Sequence, residues 1–273
     1  MLNVTTALAS IRSMPMADYL ALDACSSSRL RNLGRSPAYC RYMIDHPAPA
    51  TDAMRLGSLV DCLLTEPASE GARFAVKDYD ARTKEGKARR DLLAESGLTV
   101  LDADDYHRAR TIAASVRLHP FWGALKDARY QQTVYVEGSP GRKARPDILA
   151  TYGTGLAVVD IKVCRQASQD IYPRACWGLW HPQQLAWYAD CLRLAGENVV
   201  SSWTLAVHPQ EPHEVTAYQM SDAMMKVALE VVLRREEKYA DCVASGVWPD
   251  GDELVVVEPP EWTMPDEVQT EEE

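Results

Sequence analysis

The stretch RPDILATYGTGLAVVDIKV, residues 145–163, decides the fold. It reads as two apolar strands joined by a glycine-containing turn, which together form a hairpin. Because side chains alternate between the two faces of a strand, the odd-numbered residues from 157 to 163 share one fully apolar face. The even-numbered residues from 156 to 162 share the other face, which changes from apolar to charged at Asp160 and Lys162.

The charged end of this hairpin needs an explanation, because an unpaired carboxylate in an apolar strand is costly. One interpretation is that Asp160 and Lys162 form an ion pair at the edge of a sheet. The position of Asp147 favours a second interpretation. The turn folds the strand of Asp147 back beside residues 156–163, so that the carboxylates of Asp147 and Asp160 can converge. Converging carboxylates suit Mg²⁺, and a neighbouring lysine can activate water or stabilise phosphate charge. The pattern therefore points to metal-assisted phosphodiester hydrolysis.

The composition is that of an ordinary globular protein, with 273 residues of which 47% are hydrophobic and 25% charged. No apolar run approaches the ~18 residues of a membrane span, and the N-terminus lacks the features of a signal peptide. Seven scattered cysteines without C-x-x-C spacing argue against a zinc or iron–sulfur site and favour free thiols in a reducing compartment. We predict a cytoplasmic protein without a membrane segment.

The net charge of −10 is confined to the C-terminal end of the chain. Residues 250–273 contain ten acidic and no basic residues, whereas residues 1–249 contain 29 of each. A neutral body can still hold a basic channel, and the tail can solubilise the protein, mimic DNA or bind a partner. We predict one domain over 1–249, with a helical part over about 1–125 and a mixed α/β core over about 126–249, followed by an acidic tail.

Hydrophobic periodicity and capping signals give the order of the elements. The predicted helices lie within 16–45 and over 54–67, 102–119, 181–196 and 221–246. The predicted strands lie over 131–138, 143–152, 155–164, 198–209 and 213–220, with the first three as a meander. Residues 82–90 read as a polar loop or a frayed helix start. This order predicts a mixed α/β layer fold with a helical N-terminal part.

The motifs RPD at 145–147 and DIK at 160–162 resemble the signature of the PD-(D/E)XK nucleases. The predicted helix at 181–192, HPQQLAWYADCL, places Gln184 and Tyr188 on one face. These two residues match the Q-x-x-x-Y pattern of the RecE-like (exonuclease VIII), AddB-type and λ-exonuclease-type branches. The resemblance implies a restriction-endonuclease-like core, in which helices flank a mixed central sheet.

Three further blocks resemble the RecE-like branch, in the same order and with similar spacing. They are the S-x-S-x-L…SP-x-x-Y opening at 26–43, the G-S-x-x-H-x-x-x-L-E-P helix within 54–67 and the R-T-K-x-G-K-A loop at 82–88. With the core motifs, the resemblance extends over roughly residues 20–240. Their combined order is more specific than any one block.

The resemblance implies a metal site for Mg²⁺, with Mn²⁺ as a second possibility. Asp147, Asp160 and the backbone carbonyl of Ile161 occupy the positions of the family's ligands. Asp61 stands where the family pattern has a metal-binding histidine, and a carboxylate is a harder ligand than imidazole. We therefore expect metal binding with an altered metal preference or pH dependence.

The resemblance also assigns catalytic roles. Lys162 activates the water, Gln184 positions the lysine or the scissile phosphate, and Tyr188 contacts the phosphate or supports Gln184. Where the family often has a glutamate that opens the first strand of the core, this chain has Gln131 or Gln132. This departure removes one negative charge from the site.

A nuclease must hold a polyanion, so basic side chains are expected near the site. The DNA-binding candidates lie in the loop at 82–88 and immediately before Asp147, and they are Arg82, Lys84, Lys87, Arg142 and Arg145. No base-reading motif is present in the sequence, which suits contacts to the DNA backbone that do not depend on sequence.

The resemblance implies a Mg²⁺-dependent exodeoxyribonuclease that degrades linear double-stranded DNA 5′→3′. It also implies a homo-oligomer, for which a tetramer is the favoured state. The enzyme would leave 3′ single strands for an annealing protein in phage or prophage recombination. Two alternatives stay open: an endonuclease of the same fold, and a DNA-end-binding or assembly module with weak catalysis. The departures at Asp61 and Gln131 favour the binding module. Metal binding by Asp147 and Asp160 distinguishes an active nuclease from a binding module.

Overall fold

A five-stranded mixed sheet forms the centre of the computed structural model, which describes residues 8–80 and 82–250. The strands are Ala9–Ser13 (β1), Phe74–Val76 (β2), Thr99–Leu101 (β3), Lys126–Tyr130 (β4), Gln132–Val136 (β5), Arg142–Ala144 (β6), Ile148–Tyr152 (β7), Gly155–Val163 (β8), Val199–Val207 (β9) and Val215–Gln219 (β10). The central sheet has the order β10-β9-β8-β7-β4.

Helices cover both faces of this sheet. They are Met16–Ala21 (α1), Ser27–Leu33 (α2), Pro37–Asp45 (α3), Asp52–Thr65 (α4), Glu70–Arg73 (α5), Lys84–Glu95 (α6), Ala103–Leu118 (α7), Pro120–Ala124 (α8), Tyr172–Ala175 (α9), His181–Leu194 (α10) and Asp222–Ser245 (α11). No helix within the described ranges is both long and apolar enough to cross a membrane. Beyond Asp250, the predicted acidic tail lies outside the described residues.

The hairpin predicted from the sequence is present as β7 and β8. The two strands are antiparallel, with Ile148 opposite Val159, and Gly153 takes the left-handed conformation (φ 63°) that the tight turn requires. β8 extends beyond the start of β7, so residues 160–163 pair only with the parallel strand β9. The end of β8 that carries the charged residues therefore has one edge free of strand pairing.

The alternation along β8 divides the core into two layers. Val159 and Ile161 pack on the side of α4 and α7, whereas Val158 packs on the side of α10 and α11. The apolar face predicted for the odd-numbered residues is confirmed, and the other face is covered as well. A parallel pair of strands needs a crossover, and α10 supplies it between β8 and β9.

The predicted three-strand meander is wrong. β5 and β6 belong to a separate sheet with the order β1-β5-β6, and the predicted strand over 143–152 divides in two. The division falls at Arg145–Asp147, where Pro146 has no N–H to donate to a ladder and Arg145 turns inward to bond Gln131. Asp147 is thereby left at the entrance to β7, outside both ladders.

Of the two interpretations of the basic segment at 82–90, the helix start is the one observed, because α6 begins at Lys84. Thr83 caps this helix by accepting a hydrogen bond from the Gly86 N–H at 2.9 Å. Gly86 allows the first turn to approach the preceding chain closely, since an added Cβ would collide with the carbonyl oxygen of Asp80. Glycine has a low helix propensity, but Gly86 is needed here for close packing. The sequence pattern did not reveal this role.

Arg142 of β6 joins the two helices on one face of the sheet. Its guanidinium donates to Asp190 of α10 at 2.6 Å and to both carboxylate oxygens of Glu236 of α11 at 2.6 Å. The same guanidinium lies 5.3 Å from the ring centroid of Trp187, whose indole N–H donates to the Lys143 carbonyl at 2.9 Å. Together these contacts fix α10 against the sheets.

Trp187→Ala is expected to lower the free energy of unfolding by about 3–5 kcal/mol, because Trp187 is fully buried and its loss leaves a large cavity. Urea unfolding followed by circular dichroism measures this change. Trp177→Ala is the matched control, since that side chain is 37% exposed, and it is expected to cost less than about 1 kcal/mol. Equal losses for the two variants would contradict the packing described here.

Candidate metal centre and active site

Asp147 and Asp160 meet at the free edge of β8. Asp147 accepts the backbone N–H of Ile161 through Oδ2 at 2.7 Å, and so takes the place of the missing partner strand. The N–H and C=O of one strand residue point to the same edge, so the Ile161 carbonyl also faces Asp147. The structure thus brings the predicted backbone ligand to the same edge as the first predicted carboxylate.

Asp160 and Lys162 lie on the same face of β8 and form an ion pair. Lys162 Nζ lies 2.5 Å from Asp160 Oδ2, and Asp160 is only 1% exposed. The angles of this contact are not those of a hydrogen bond, so Oδ2 is buried without a hydrogen-bond donor. Burial alone would lower the pKa of Lys162, but the charges of Asp160 and Asp147 outweigh it and raise that pKa. The lysine is therefore a cation that points at the acidic cluster.

Gln131 connects Asp61 to Asp147. Its amide nitrogen donates to both carboxylate oxygens of Asp61, at 3.0 and 2.9 Å, and to Asp147 Oδ1 at 3.3 Å. Its amide oxygen accepts the Nε–H of Arg145 at 3.0 Å. Gln132 lies outside this network and donates to the Tyr130 carbonyl, so Gln131 is the residue at the site. The left-handed backbone of Gln131 (φ 50°), between β4 and β5, sets its direction.

Burial and neighbouring charges perturb the carboxyl groups of Asp61 and Asp147. Burial, followed by the charge of Asp160, raises the pKa of Asp61 to about 6 against the opposing effect of Arg73. Burial, followed by the charges of Asp61 and Asp160, raises the pKa of Asp147 well above its usual range. One lysine cannot neutralise three carboxylates, and the excess negative charge favours a bound cation.

The residue types and the charge of this cluster fit a hard divalent cation. Carboxylates and a backbone carbonyl are the oxygen ligands that Mg²⁺ and Mn²⁺ prefer, and one buried oxygen of Asp160 lacks a hydrogen-bond donor. Within residues 8–80 and 82–250, no three Asp, Glu, His or Cys side chains are grouped as a ready-made coordination shell. The reason is that Gln131 lies between Asp61 and Asp147, and Lys162 against Asp160. A cation has to compete with these contacts.

Gln184 and Tyr188 face a neighbouring cavity of about 300 Å³ from the inner side of α10. Gln184 donates to the Tyr188 hydroxyl at 2.6 Å, so the tyrosine holds the amide in place. Burial, followed by the charge of Asp160, raises the pKa of Tyr188 well above its usual range, so this hydroxyl stays protonated. The effect of the Asp160 charge on Tyr188 indicates that the pair lies near the acidic cluster, although it forms no hydrogen bond to Lys162 in the described structure.

Trp180 sets the start of the helix that carries this pair. It has a left-handed backbone (φ 71°), which is unfavourable for a bulky residue, and its indole N–H donates to Ser27 Oγ at 3.0 Å. His181 follows, and burial, more than the charge of Lys162, lowers its pKa to about 3. Its ring is hydrogen-bonded to the Tyr172 hydroxyl at 3.0 Å, which indicates a neutral, structural histidine.

The five predicted DNA contacts divide into two groups. Arg82, Lys84 and Lys87 are exposed around the start of α6, and none of them forms an ion pair with another described residue. Arg142 is held by Asp190 and Glu236, as described above. Arg145 is 7% exposed and donates to Gln131, to Thr133 and to the Met14 carbonyl.

The prediction that Arg142 and Arg145 contact DNA is therefore corrected. Their partners occupy both guanidinium groups inside the protein, and Arg145 instead orients the amide of Gln131. Sequence spacing could not reveal this, because Glu236 lies 94 residues away from Arg142. No motif or spacing in the sequence indicates that Arg145 supports the acidic cluster.

Gln131→Glu is expected to tighten binding of Mn²⁺ or Mg²⁺ about tenfold, because it adds an oxygen ligand and removes the amide donor that competes with the ion. Without metal, the same change is expected to lower the free energy of unfolding by about 1–3 kcal/mol, since a charge replaces a hydrogen-bond donor. Calorimetric titration and thermal unfolding measure the two effects. Gln132→Glu, next in sequence but outside the site, is the control, and an equal response from it would contradict this role.

Comparison with known proteins assigns the fold to a family. Residues 26–255 match the PDDEXK-like domain of unknown function DUF3799. A solved structure of a candidate exonuclease from Eubacterium rectale superposes with a TM-score of 0.60 at 16% identity, covering 90% of this chain and 96% of that one. The structure named SSO0001 matches with a TM-score of 0.27 at 14% identity, covering 87% and 98%, and carries no further argument. None of the curated proteins matches significantly.

The first superposition shows the same fold, and the match to DUF3799 spans most of the chain. The expected PD-(D/E)XK core, a mixed central sheet flanked by helices, is confirmed by both and by the strand order. The RecE-like branch is a narrower assignment that these comparisons do not reach. The chain belongs to the DUF3799 family of PDDEXK-like domains.

Proposed function

We propose that this protein is a metal-dependent nuclease, and specifically an exonuclease that degrades linear double-stranded DNA 5′→3′. The observation that carries the proposal is the convergence of Asp61, Asp147 and Asp160 around the cationic Lys162 at the free edge of β8. Membership of a PDDEXK-like family supports it, as does the fold shared with a protein described as a candidate exonuclease. The 5′→3′ polarity rests on the sequence resemblance alone.

In this proposal the acidic cluster holds the metal. The carboxylates of Asp61, Asp147 and Asp160 and the carbonyl of Ile161 are the ligands, and the ion is Mg²⁺ or Mn²⁺. When bound, it supplies Lewis-acid activation of the phosphate and of the attacking water. Arg145 orients Gln131, which keeps Asp61 and Asp147 directed at one point.

The remaining residues act on the substrate. As a cation beside Asp160, Lys162 orients the water and stabilises the charge that develops on the phosphate. Gln184 presents its amide to the scissile phosphate, with Tyr188 holding that amide by their hydrogen bond. Arg82, Lys84 and Lys87 bind the DNA backbone through charge, independently of sequence.

The setting of this activity is also a proposal. The enzyme produces 3′ single strands for an annealing protein in recombination. It assembles as a homo-oligomer, and a tetramer is the favoured state. Its seven cysteines are all free thiols, which suits a cytoplasmic protein. Light scattering on the purified protein gives the oligomeric state directly, and a monomer at micromolar concentration would contradict the assembly.

A second candidate, a DNA-end-binding module with weak catalysis, is favoured by one observation. The amide of Gln131 already satisfies Asp61 and Asp147 without a metal, where the family pattern has a glutamate. A protein of this kind would bind DNA ends and leave them uncut. An endonuclease of the same fold is the other alternative.

Digestion of linear duplex DNA labelled separately at each end tests the proposal. With Mg²⁺ or Mn²⁺, we expect early release of the 5′ label, later release of the 3′ label and no cutting of circular duplex. EDTA is expected to stop the reaction. Cut circles would replace the exonuclease with an endonuclease, whereas bound but uncut DNA under both metals would support the binding module.

A further inference from the structure

A cavity of about 550 Å³ opens beside the end of β8, on the side of α4 and α7. Its walls come from the first turns of α4, from α7, from residues 163–166 after β8 and from residues 209–210. Ala53, Leu56 and Val163 give it an apolar side, and Arg108 and Arg165 give it a basic one. Neither arginine has a role in the site described above.

The two arginines have unused hydrogen-bonding capacity. Arg165 is exposed and forms no ion pair or side-chain hydrogen bond within the described ranges. Arg108 pairs with Asp105 through Nη2, but its Nε is buried and has no acceptor. A buried donor without an acceptor is uncommon in folded proteins and indicates a missing partner. The one carboxylate in the wall, that of Asp52, is already paired with Arg55.

The position of the cavity relates it to the acidic cluster. Val163 in its wall directly follows Lys162, and Leu56 in its wall lies on the same helix as Asp61. Leu56 and Asp61 are five positions apart on α4, which corresponds to a rise of about 7.5 Å along the helix axis. The cavity and the acidic cluster therefore lie within the span of a few nucleotides of one DNA strand.

We propose that this cavity binds a nucleic-acid phosphate within a few nucleotides of the scissile bond, with Arg108 and Arg165 as its ligands. This inference rests on the proposed nuclease function and adds a binding subsite to it. Arg165 supplies the planar donor fork that matches a phosphate, and the guanidinium of Arg108 adds a second positive charge to the same wall. The apolar side formed by Ala53, Leu56 and Val163 accommodates the sugar.

The test measures DNA affinity without cleavage. Binding of a short labelled duplex to the full chain in EDTA is followed by fluorescence anisotropy at several salt concentrations. Arg165→Ala and Arg108→Ala are each expected to lower the slope of log affinity against log salt by about 0.9, the value for one lost phosphate contact. Arg110→Ala is the matched control, because Arg110 lies on the same helix and pairs with Glu70 outside the cavity. We expect it to keep the wild-type slope.

Three results would overturn the proposal in distinguishable ways. If wild-type protein binds and cuts DNA while Arg165→Ala keeps the wild-type slope, the subsite alone is wrong. Arg165 has no partners in the described structure, so misfolding cannot account for a change in that variant. If the same variant loses calorimetric binding of a deoxynucleoside monophosphate but keeps the DNA slope, the cavity holds released product and not the strand. If wild-type protein neither binds nor cuts DNA, the nuclease proposal itself fails.

Discussion

Lys162→Met is expected to abolish DNA cleavage while leaving DNA bound, with a rate at least about 10³-fold below wild type. The reason is that in the proposed mechanism the ammonium group of Lys162 acts beside Asp160, from which it lies 2.5 Å away, and methionine keeps the approximate length of the side chain without the charge. Single-turnover digestion of end-labelled linear duplex with Mg²⁺ gives the rate, and anisotropy gives the affinity.

Two controls keep this result interpretable. Lys226→Met removes an exposed lysine of α11, far along the chain from the site, and is expected to cut at the wild-type rate. Loss of the lysine leaves Asp160 buried without a counter-charge, which can destabilise the protein. Circular dichroism therefore checks that the Lys162→Met variant is folded. A folded variant that cuts DNA at a rate within tenfold of wild type would remove Lys162 from the mechanism.

Asp147→Asn is expected to lower the cleavage rate by a similar factor, at least about 10³-fold, and to remove the rise in melting temperature that Mg²⁺ or Mn²⁺ produces. Without metal, the same variant is expected to be more stable than wild type at neutral pH, by about 1 kcal/mol. Burial and the charges of Asp61 and Asp160 raise the pKa of Asp147, so its ionised form is unfavourable in the folded state.

The sign of this stability effect follows from the direction of the shift. Because the pKa of Asp147 is higher in the folded than in the unfolded protein, its contribution favours folding at low pH and is lost as the pH rises through the folded value. Thermal unfolding at pH 7 with EDTA, and then with each metal, measures both effects. Asp241→Asn, an exposed residue of α11, is the control. An undiminished metal response in the Asp147→Asn variant would contradict the ligand assignment.

The sequence predicted the part of the site that depends on local geometry. A short turn and the alternation of side chains were enough to place Asp147 near Asp160, and Asp160 beside Lys162, on the part of β8 that extends beyond β7. The apolar face formed by Val159 and Ile161 followed from the same alternation. The mixed α/β fold followed from the order of the elements, whereas the helices that flank a central sheet followed from the resemblance to the PD-(D/E)XK nucleases.

What the sequence could not predict depends on long-range partners. Periodicity shows that residues 132–136 form a strand, but it does not show that this strand pairs with β1, more than 100 residues earlier, instead of β7. The charge of Arg142 and Arg145 suggested a surface for DNA, and only the fold shows that both groups have internal partners. Gln131 or Gln132 was expected only to remove a negative charge from the site, and the structure shows that the amide of Gln131 bridges two carboxylates.

The pairing of β8 with β9 has a consequence for the order in which the protein is made. Residues 160–163 are supported along one edge by β9 alone, and β9 ends at Val207, more than 40 residues after Lys162. A growing chain therefore carries all three aspartates and the lysine well before it can hold them in place. For the nuclease proposed above, the acidic cluster is therefore complete only after the crossover helix α10 and β9 have left the ribosome.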